Sequence, residues 1–398
     1  MKIIKIYYEF LIESKLSSKI PIPNDIIEIS NAYIKAGKDI FLVGGAVRDH
    51  IKGIKPKDYD LVTNALPEES KKILKGFNVS DEQGKNFGVL RVYTKDRPEG
   101  YEIASFRRDI SGGRDTKGND QKVEMGHDVT IEDDCMRRDL TMNALYYDIK
   151  NKKIVDLVGG INDIKNGIVR TVGDANRRFI EDRLRICRIF RFAAVTGGRI
   201  DNKTSEAIKK DNRLRGIGPK DDVSQERIFE EFKKAFEQSK DYTKYLNFYT
   251  DYNMWSEVFP GVKINTKIKK SNYLEIYFAN LFKLEGIINP TKLMYTMVQK
   301  FKMDIDFSRK VIFLIDLLNL KPENVIELYK KKVVSRVTDE MINEWLKIEE
   351  IDDPMFDKFL EYKPSISAEE LMKRGFKGKD LGEEIKRLEI KKFKSMIK

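Results

Sequence analysis

Between residues 39 and 150 the chain alternates short apolar runs with polar stretches of helical character. The runs FLVGG, YDLVT, GVLRVY, YEIASF and ALYYDI have the length and the β-branched and aromatic content of strands. Strands and helices mixed in this way predict an α/β or α+β domain. Ahead of it, residues 1–38 read as a helical leader broken at Pro21-Ile22-Pro23. A stretch rich in Gly, Asp and Lys, SGGRDTKGNDQK (111–122), interrupts the alternation and is expected to be a mobile loop. After KIVDLVGG (153–160) the strand signals fade. From about residue 174 apolar positions recur at helical spacing, as in RRFIEDRLRICRIFRFAA and SQERIFEEFKKAF. Beyond about 310 the sequence is amphipathic and charged, without a legible motif.

Composition narrows this picture. With 398 residues, 41% of them hydrophobic, the chain has material for several packed units. No apolar run approaches the roughly 20 residues of a membrane span, so no membrane partner is expected. The N-terminus carries Glu9 and Glu13 and lacks an apolar core ending at a small-residue cleavage site, which predicts part of the mature protein rather than a signal peptide. The only cysteines, Cys135 and Cys187, exclude a disulfide framework and suit a reducing, cytoplasmic setting. The only histidines are His50 and His127, so any metal must be held by carboxylates, which suit Mg²⁺. A net charge of +11 suits a polyanionic partner.

Three clusters carry candidate chemistry. In FLVGGAVRDHIKGIKPKDYDLVTNALPEE (41–69), Gly44 and Gly45 follow a strand, where glycines let backbone N–H groups approach a phosphate. Arg48 and Asp49 open the next helix. Asp58 and Asp60 stand at i and i+2 in a strand-like segment, which points both carboxylates to one face. Like charges so placed repel unless a divalent cation neutralises them, the arrangement that two-metal phosphoryl transfer uses. A bare Asp-x-Asp is usually a solvated turn; the Gly-Gly-x-x-Arg-Asp element upstream argues otherwise. In CMRRDLTMNALYYD (135–148), Arg137 and Arg138 offer donors for a triphosphate. Asp139 and Asn143, four apart, are expected to share a helix face that binds a ribose, unless Asp139 is simply a helix N-cap.

The third cluster is RRFIEDRLRICRIFRFAA (177–194). Read as one helix, it lines up Arg178, Asp182, Arg185 and Arg188 on a polar face, with Phe179, Ile186, Phe190 and Ala193 toward another. These charges make ordinary i, i+4 ion pairs. Asp182 and Arg185 also make a base reader. Cytosine and adenine present an amino donor beside a ring-nitrogen acceptor, which an Asp acceptor and an Arg donor match. Uracil and guanine present the reverse and leave both groups unpaired.

In this order the clusters resemble the class II nucleotidyltransferases, the tRNA CCA-adding enzymes and bacterial poly(A) polymerases. The resemblance runs from about Phe41 to Phe232 through GGAVRD with DYD, RRDLTMNAL, RFIEDRLRICRIFRFAA and SQERIFEEF. It implies an α+β fold: a nucleotidyltransferase-type head with a mixed sheet (1–150), then an all-helical neck (151–215), body (216–310) and RNA-binding tail (311–398). It further implies that Asp58 and Asp60 hold catalytic Mg²⁺, with Glu102 of YEIASFRRD as a third acidic residue. Gly44, Gly45, Arg48, Arg137, Arg138, Asp139, Asn143 and Arg188 would bind the nucleotide. Asp182 and Arg185 would select CTP and ATP, with tRNA as the acceptor. The family's flexible loop falls at roughly 107–125.

His50 and Lys52 depart from the aliphatic residues many relatives carry there. His127-Asp128 resembles the dipeptide of HD phosphohydrolases, but such a site needs several more histidines than the chain has. Poly(A) polymerase is the alternative with the same motifs; GKNFGVLRV (84–92) and SQERIFEE favour the CCA-adding reading. Specialists that add only CC or only A share the motifs too. A catalytically inactive RNA-binding module is disfavoured by the intact Asp58 and Asp60.

Overall fold

The computed structural model describes residues 20–80, 88–114, 121–215 and 222–398. Residues 1–19 of the leader expected over 1–38, part of GKNFGVLRV, part of the expected loop and the expected neck–body junction at 216 fall outside these residues. The chain divides into two compact units, Met1–Val223 and Ser224–Lys398.

Among its described residues the first unit opens with α1 (Asn24–Lys35) and is built on a seven-stranded mixed sheet. Its strands are β1 (Ile40–Val43), β2 (Asp60–Thr63), β3 (Asn78–Ser80), β4 (Val89–Tyr93), β5 (Tyr101–Ser105), β8 (Leu145–Asp148) and β9 (Lys153–Asp156), in the order β3-β4-β5-β2-β1-β8-β9. Only β2 and β5 pair in parallel; every other pairing is antiparallel. All five runs read as strands are strands. Alternate residues serve opposite faces, as the pleat requires. Leu42, Leu61, Ile103 and Tyr147 enter one core, while Val43, Val62 and Tyr146 enter the other. Helices α2 (Gly45–Ile51) and α3 (Pro67–Ile73) follow β1 and β2.

The stretch expected to be a loop is bracketed by two paired strands, β6 (Arg108–Arg114) and β7 (Gln121–Glu124), with 115–120 outside the described residues. After α4 (Ile131–Met136) a single 3-10 turn, Thr141–Asn143, leads into β8. Asp139 and Asn143 therefore do not share a helix face, and Asp139 caps no α-helix. The sheet runs past residue 150 into β9. Within the segment expected to be all helical, α5 (Gly160–Lys165) precedes β10 (Ile168–Val169), which pairs in parallel with β11 (Arg199–Ile200).

The helix expected over 177–194 is two helices, α6 (Ala175–Glu181) and α7 (Leu184–Thr196). Asp182, with φ −152° and ψ 107°, breaks them apart, and its Oδ1 accepts from the Leu184 amide at 3.0 Å. An Asp that bonds the backbone two residues on offers the chain an alternative to helix. The unit closes with α8 (Asn202–Lys210).

Among its described residues the second unit has helices joined by loops and no strand. SQERIFEEF starts it: Ser224 caps α9 (Gln225–Gln238), accepting from the Arg227 amide. Phe232 of that motif packs on Tyr245, Tyr249 and Phe259, with ring centroids 5.0–5.6 Å apart. The motif thus seeds a hydrophobic core.

One loop fixes the end of the sheet. Asp156, buried, accepts through Oδ1 from the amides of Val158, Gly159 and Gly160 and through Oδ2 from that of Ile161, at 2.8–3.2 Å. Gly160 then lies so close to the Thr141 carbonyl that a Cβ there would overlap it. Thr141 is also held by a hydrogen bond to the buried Asp163, which binds Arg170 at 2.9 Å. Asp156→Ala strips the acceptor from four amides and is expected to cost at least about 1–3 kcal/mol. Gly160→Ala, which pushes the Thr141–Asn143 turn, should cost about as much. Urea unfolding of both variants measures this; unfolding midpoints equal to that of the parent would rule out a structural role for the loop.

Candidate active site

All the sequence-predicted site residues lie in the first unit. Gly44 follows β1 with φ +70°, a conformation that favours glycine, and its amide donates to the Leu145 carbonyl at 3.1 Å. This turn brings the α2 backbone beside Arg138: a Cβ on Gly44 would lie 3.9 Å from Arg138 Nη1.

Arg138 is the most constrained of the candidate cations. Its Nε and Nη2 donate to Asp134 Oδ2 at 3.2 and 2.9 Å, and Nε also donates to the Tyr146 hydroxyl at 2.9 Å. Tyr146 in turn donates to Asp134 Oδ2 at 2.8 Å. Asp134 is 1% exposed. Burial alone would raise its carboxyl, but the charges of Arg138 and Arg137 and the Tyr146 hydroxyl hold it below the usual carboxylate range. The carboxylate raises Arg138 in return. Sequence reasoning missed Asp134 and Tyr146; the signal was an acidic residue on α4, four before an Arg just past the helix end, aimed at a strand tyrosine.

Beside this pair, Arg137 Nε donates to Asp109 Oδ1 at 3.0 Å. Burial, together with repulsion from Arg137 and Arg138, lowers the Arg107 guanidinium to about 10. Arg107 Nε and Asp109 Oδ2 are buried without a hydrogen-bond partner. Three guanidiniums against the carboxylates of Asp134 and Asp109 leave a surplus positive charge, which suits an anion.

A hydrogen-bonded chain joins all three motifs. Arg48 Nη1 donates to Asn143 Oδ1 at 2.8 Å, Asn143 Nδ2 to Asp139 Oδ1 at 3.4 Å, and Arg188 Nε to Asp139 Oδ2 at 2.7 Å. Burial raises the Asp139 carboxyl, but the Arg188 ion pair outweighs it and keeps the group low. The turn at Thr141–Asn143, not a helix face, brings Asp139 and Asn143 together.

The carboxylates sit at the start of β2 and on the neighbouring β5. Asp60 opens β2, whereas Asp58 lies just before the strand. The parallel register Leu61↔Ile103 sets Asp60 next to Glu102. Enclosure by protein, then the charges of Asp58 and Glu102, push the Asp60 carboxyl up to about 6 against the pull of Arg138 and Arg97. Asp60 still meets solvent, so like-charge repulsion is the part that counts. Asp58 is bonded to Arg97 at 2.7 Å and Glu102 to Arg91. A hard divalent cation fits this all-oxygen donor set and would relieve its repulsion. Among the described residues, no group of three or more His, Cys, Asp or Glu is already arranged around one metal position.

The base-reading pair is arranged differently from expectation. Arg178, Asp182, Arg185 and Arg188 do not line one helix face, because the chain breaks at Asp182. Glu181, which sequence reasoning passed over, binds Arg178 Nη1 at 2.6 Å and Arg185 Nη1 at 2.9 Å. Both arginines are buried and reach main-chain carbonyls, Arg178 that of Met136 and Arg185 that of Arg137. The Arg185 amide donates to the Asp182 carbonyl at 3.2 Å, so the two expected readers share one turn. Asp128 of the His-Asp dipeptide is held by Arg108 at 3.0 Å.

Residues 40–170 match the family model of the Poly A polymerase head domain, a span that includes every strand of the large sheet. Poly(A) polymerase I of Escherichia coli is 33% identical over 256 residues, which is 63% of this chain and 53% of that protein. The CCA-adding enzyme of Ligilactobacillus salivarius is 41% identical over 180 residues, 45% of this chain and 42% of that protein. The matched part thus spans about half the length of these curated relatives. The crystal structure of the Bacillus stearothermophilus CCA-adding enzyme in complex with CTP aligns with a TM-score of 0.66 at 21% identity, covering 94% of this chain and 92% of that one. That of the Thermotoga maritima CCA-adding enzyme complexed with tRNA aligns with a TM-score of 0.57 at 20% identity, covering 95% and 93%. These last two are likenesses of fold. The resemblance read from the sequence motifs is borne out, with both CCA-adding enzymes and poly(A) polymerases among the relatives.

Asp134 gives a test with a defined pH dependence. Replacing it with Ala leaves Arg138 without its buried counter-charge and is expected to cost about 3–5 kcal/mol. Its carboxyl is depressed in the folded state, so its contribution is present above the unfolded value of about 4 and is lost as pH falls below it. The stability gap between parent and Asp134→Asn should therefore be level from pH 5 to 8 and close in acid. A gap that stays level down to pH 2 would show that Asp134 is not the charged partner.

Proposed function

We propose that this chain is a template-independent nucleotidyltransferase that adds CMP and AMP from CTP and ATP to the 3′ end of tRNA. The observation that carries this reading is the meeting, in one domain, of a crowded carboxylate group with an arginine cluster of surplus positive charge. That pairing suits the metal-bound triphosphate of a nucleotide. The names of the relatives and the whole-chain likeness to CCA-adding enzymes support the choice of reaction and acceptor.

In this reading Asp58, released from Arg97, and Asp60, with Glu102, would hold Mg²⁺. Bound there, the metal supplies charge neutralisation and a lowered pKa for the attacking hydroxyl. The protein's own residues do the rest. Arg138, aimed by Asp134 and Tyr146, and Arg137 meet the triphosphate over the Gly44–Gly45 turn. Arg48 orders Asn143, and Asn143 and Asp139 meet the ribose, with Arg188 fixing Asp139. Asp182 and Arg185 choose the base by its donor–acceptor edge, which needs Arg185 to turn from Glu181 toward the nucleotide. The 3′-hydroxyl of the RNA attacks the α-phosphate in line, and pyrophosphate leaves. The helical second unit contacts the tRNA, giving binding that weakens as salt rises. Cys135 and Cys187 are both buried and carry thiols rather than a disulfide, in keeping with a reducing cytoplasm.

Poly(A) polymerase is the second reading, favoured by the length over which the Escherichia coli enzyme matches. The two separate on products. On tRNA lacking CCA, with CTP and ATP together, a product three nucleotides longer and then a halt is expected, with little extension by ATP alone. A long adenosine ladder without CTP would establish the polymerase reading instead. One adenosine added only to tRNA ending in CC would mark an A-adding specialist, and a halt after two cytidines a CC-adding one. Asp60→Ala should abolish transfer while the melting temperature and tRNA affinity hold; near-normal turnover would remove Asp60 from the metal site.

A further inference from the structure

Phe192 has no hydrogen-bonding group in its side chain, yet it touches two of the three motifs. Phe192 lies on α7, 7% exposed. Three guanidiniums lie over its ring: Arg191 at 4.4 Å from the centroid, Arg48 at 5.4 Å and Arg188 at 5.8 Å. Arg188 and Phe192 are neighbours at i and i+4 on α7, but Arg48 comes from α2 in the head. The ring is therefore the point at which the first and third motifs touch.

A guanidinium donates only in its own plane. Arg48 is held in that plane by Asp49 at 2.9 Å and by Asn143 at 2.8 Å. Arg188 is held in plane by Asp139. These bonds act within the plane of each group. An aromatic face acts across that plane, because its quadrupole attracts a cation lying over it. The same attraction offsets part of the repulsion among three cations gathered in a small space.

We propose that Phe192 is a positioning residue. It fixes the tilt of Arg48 and Arg188, and through them Asn143 and Asp139, in the attitude that receives a nucleotide. This rests on the reading of the site as a nucleotide site. An aliphatic residue of similar volume would fill the space without holding the cations.

The test replaces Phe192 with its mono-, di- and trifluorinated analogues, which keep the ring's shape while draining its quadrupole, in the full-length chain. The KM for CTP and for ATP should climb stepwise with fluorination to about tenfold, the size expected from two such contacts. Turnover at saturation and melting temperature should stay level. Phe192→Tyr should keep KM near that of the parent, and Phe192→Leu should raise it as the trifluoro analogue does. A KM that is flat along the series in an enzyme with normal parental transfer would overturn the role of Phe192. Absence of transfer in the parent itself would instead overturn the functional reading beneath it.

Discussion

A carboxylate removed from water must be matched by cations that stay in place, and Asp134 imposes this requirement on the head domain. Its two nearest partners, Arg138 and the Tyr146 hydroxyl, come from the segment after α4 and from β8, so meeting its charge ties that segment to the sheet. The same solution recurs twice nearby. Asp139 binds Arg188, and Glu181 binds both Arg178 and Arg185. Each acid fixes at least one arginine that would otherwise be a long, mobile chain, and each fixed arginine becomes a preorganised donor. The repulsion among so many guanidiniums is what these acids answer.

The acids at the start of β2 and on β5 work in the opposite sense. Asp58, Asp60 and Glu102 are crowded together, and Asp60 is pushed up to about 6 as a result. Arg97 and Arg91 occupy Asp58 and Glu102 in the structure, which keeps that strain tolerable. One side of the domain thus has more positive charge than it can pair, and the other more negative charge. In the function proposed above, a nucleotide with its metal carries both signs and would satisfy both sides together.

Much of this was legible in the chain. The strands announced themselves by apolar alternation, and the motif residues by types that chemistry demands at short spacing. What was not legible came from local choices of backbone. Helical periodicity continues straight through Asp182, so the break between α6 and α7 could not be seen; the Asp182 side chain competing for the Leu184 amide is what decides it. Asp139 and Asn143 have helical spacing, yet a 3-10 turn held by Thr141, Asp163 and Gly160 brings them together. Asp134 looked like one acid among several in IEDDC, since nothing local distinguishes a buried carboxylate from an exposed one. Asn143 and Asp139, the partners of Arg48 and Arg188 in the second motif, lie 95 and 49 residues away from them, a separation no short motif encodes.

Arg178 and Arg185 dock by donating to the carbonyls of Met136 and Arg137, groups that every amino acid supplies. The identity of the side chain at 136 is therefore irrelevant to that docking, and Met136 itself is exposed. Neutral drift at such a position leaves the joint intact. A lineage that varies there keeps α6 and α7 seated while altering the surface it shows to the outside, so this joint constrains evolution on one partner only.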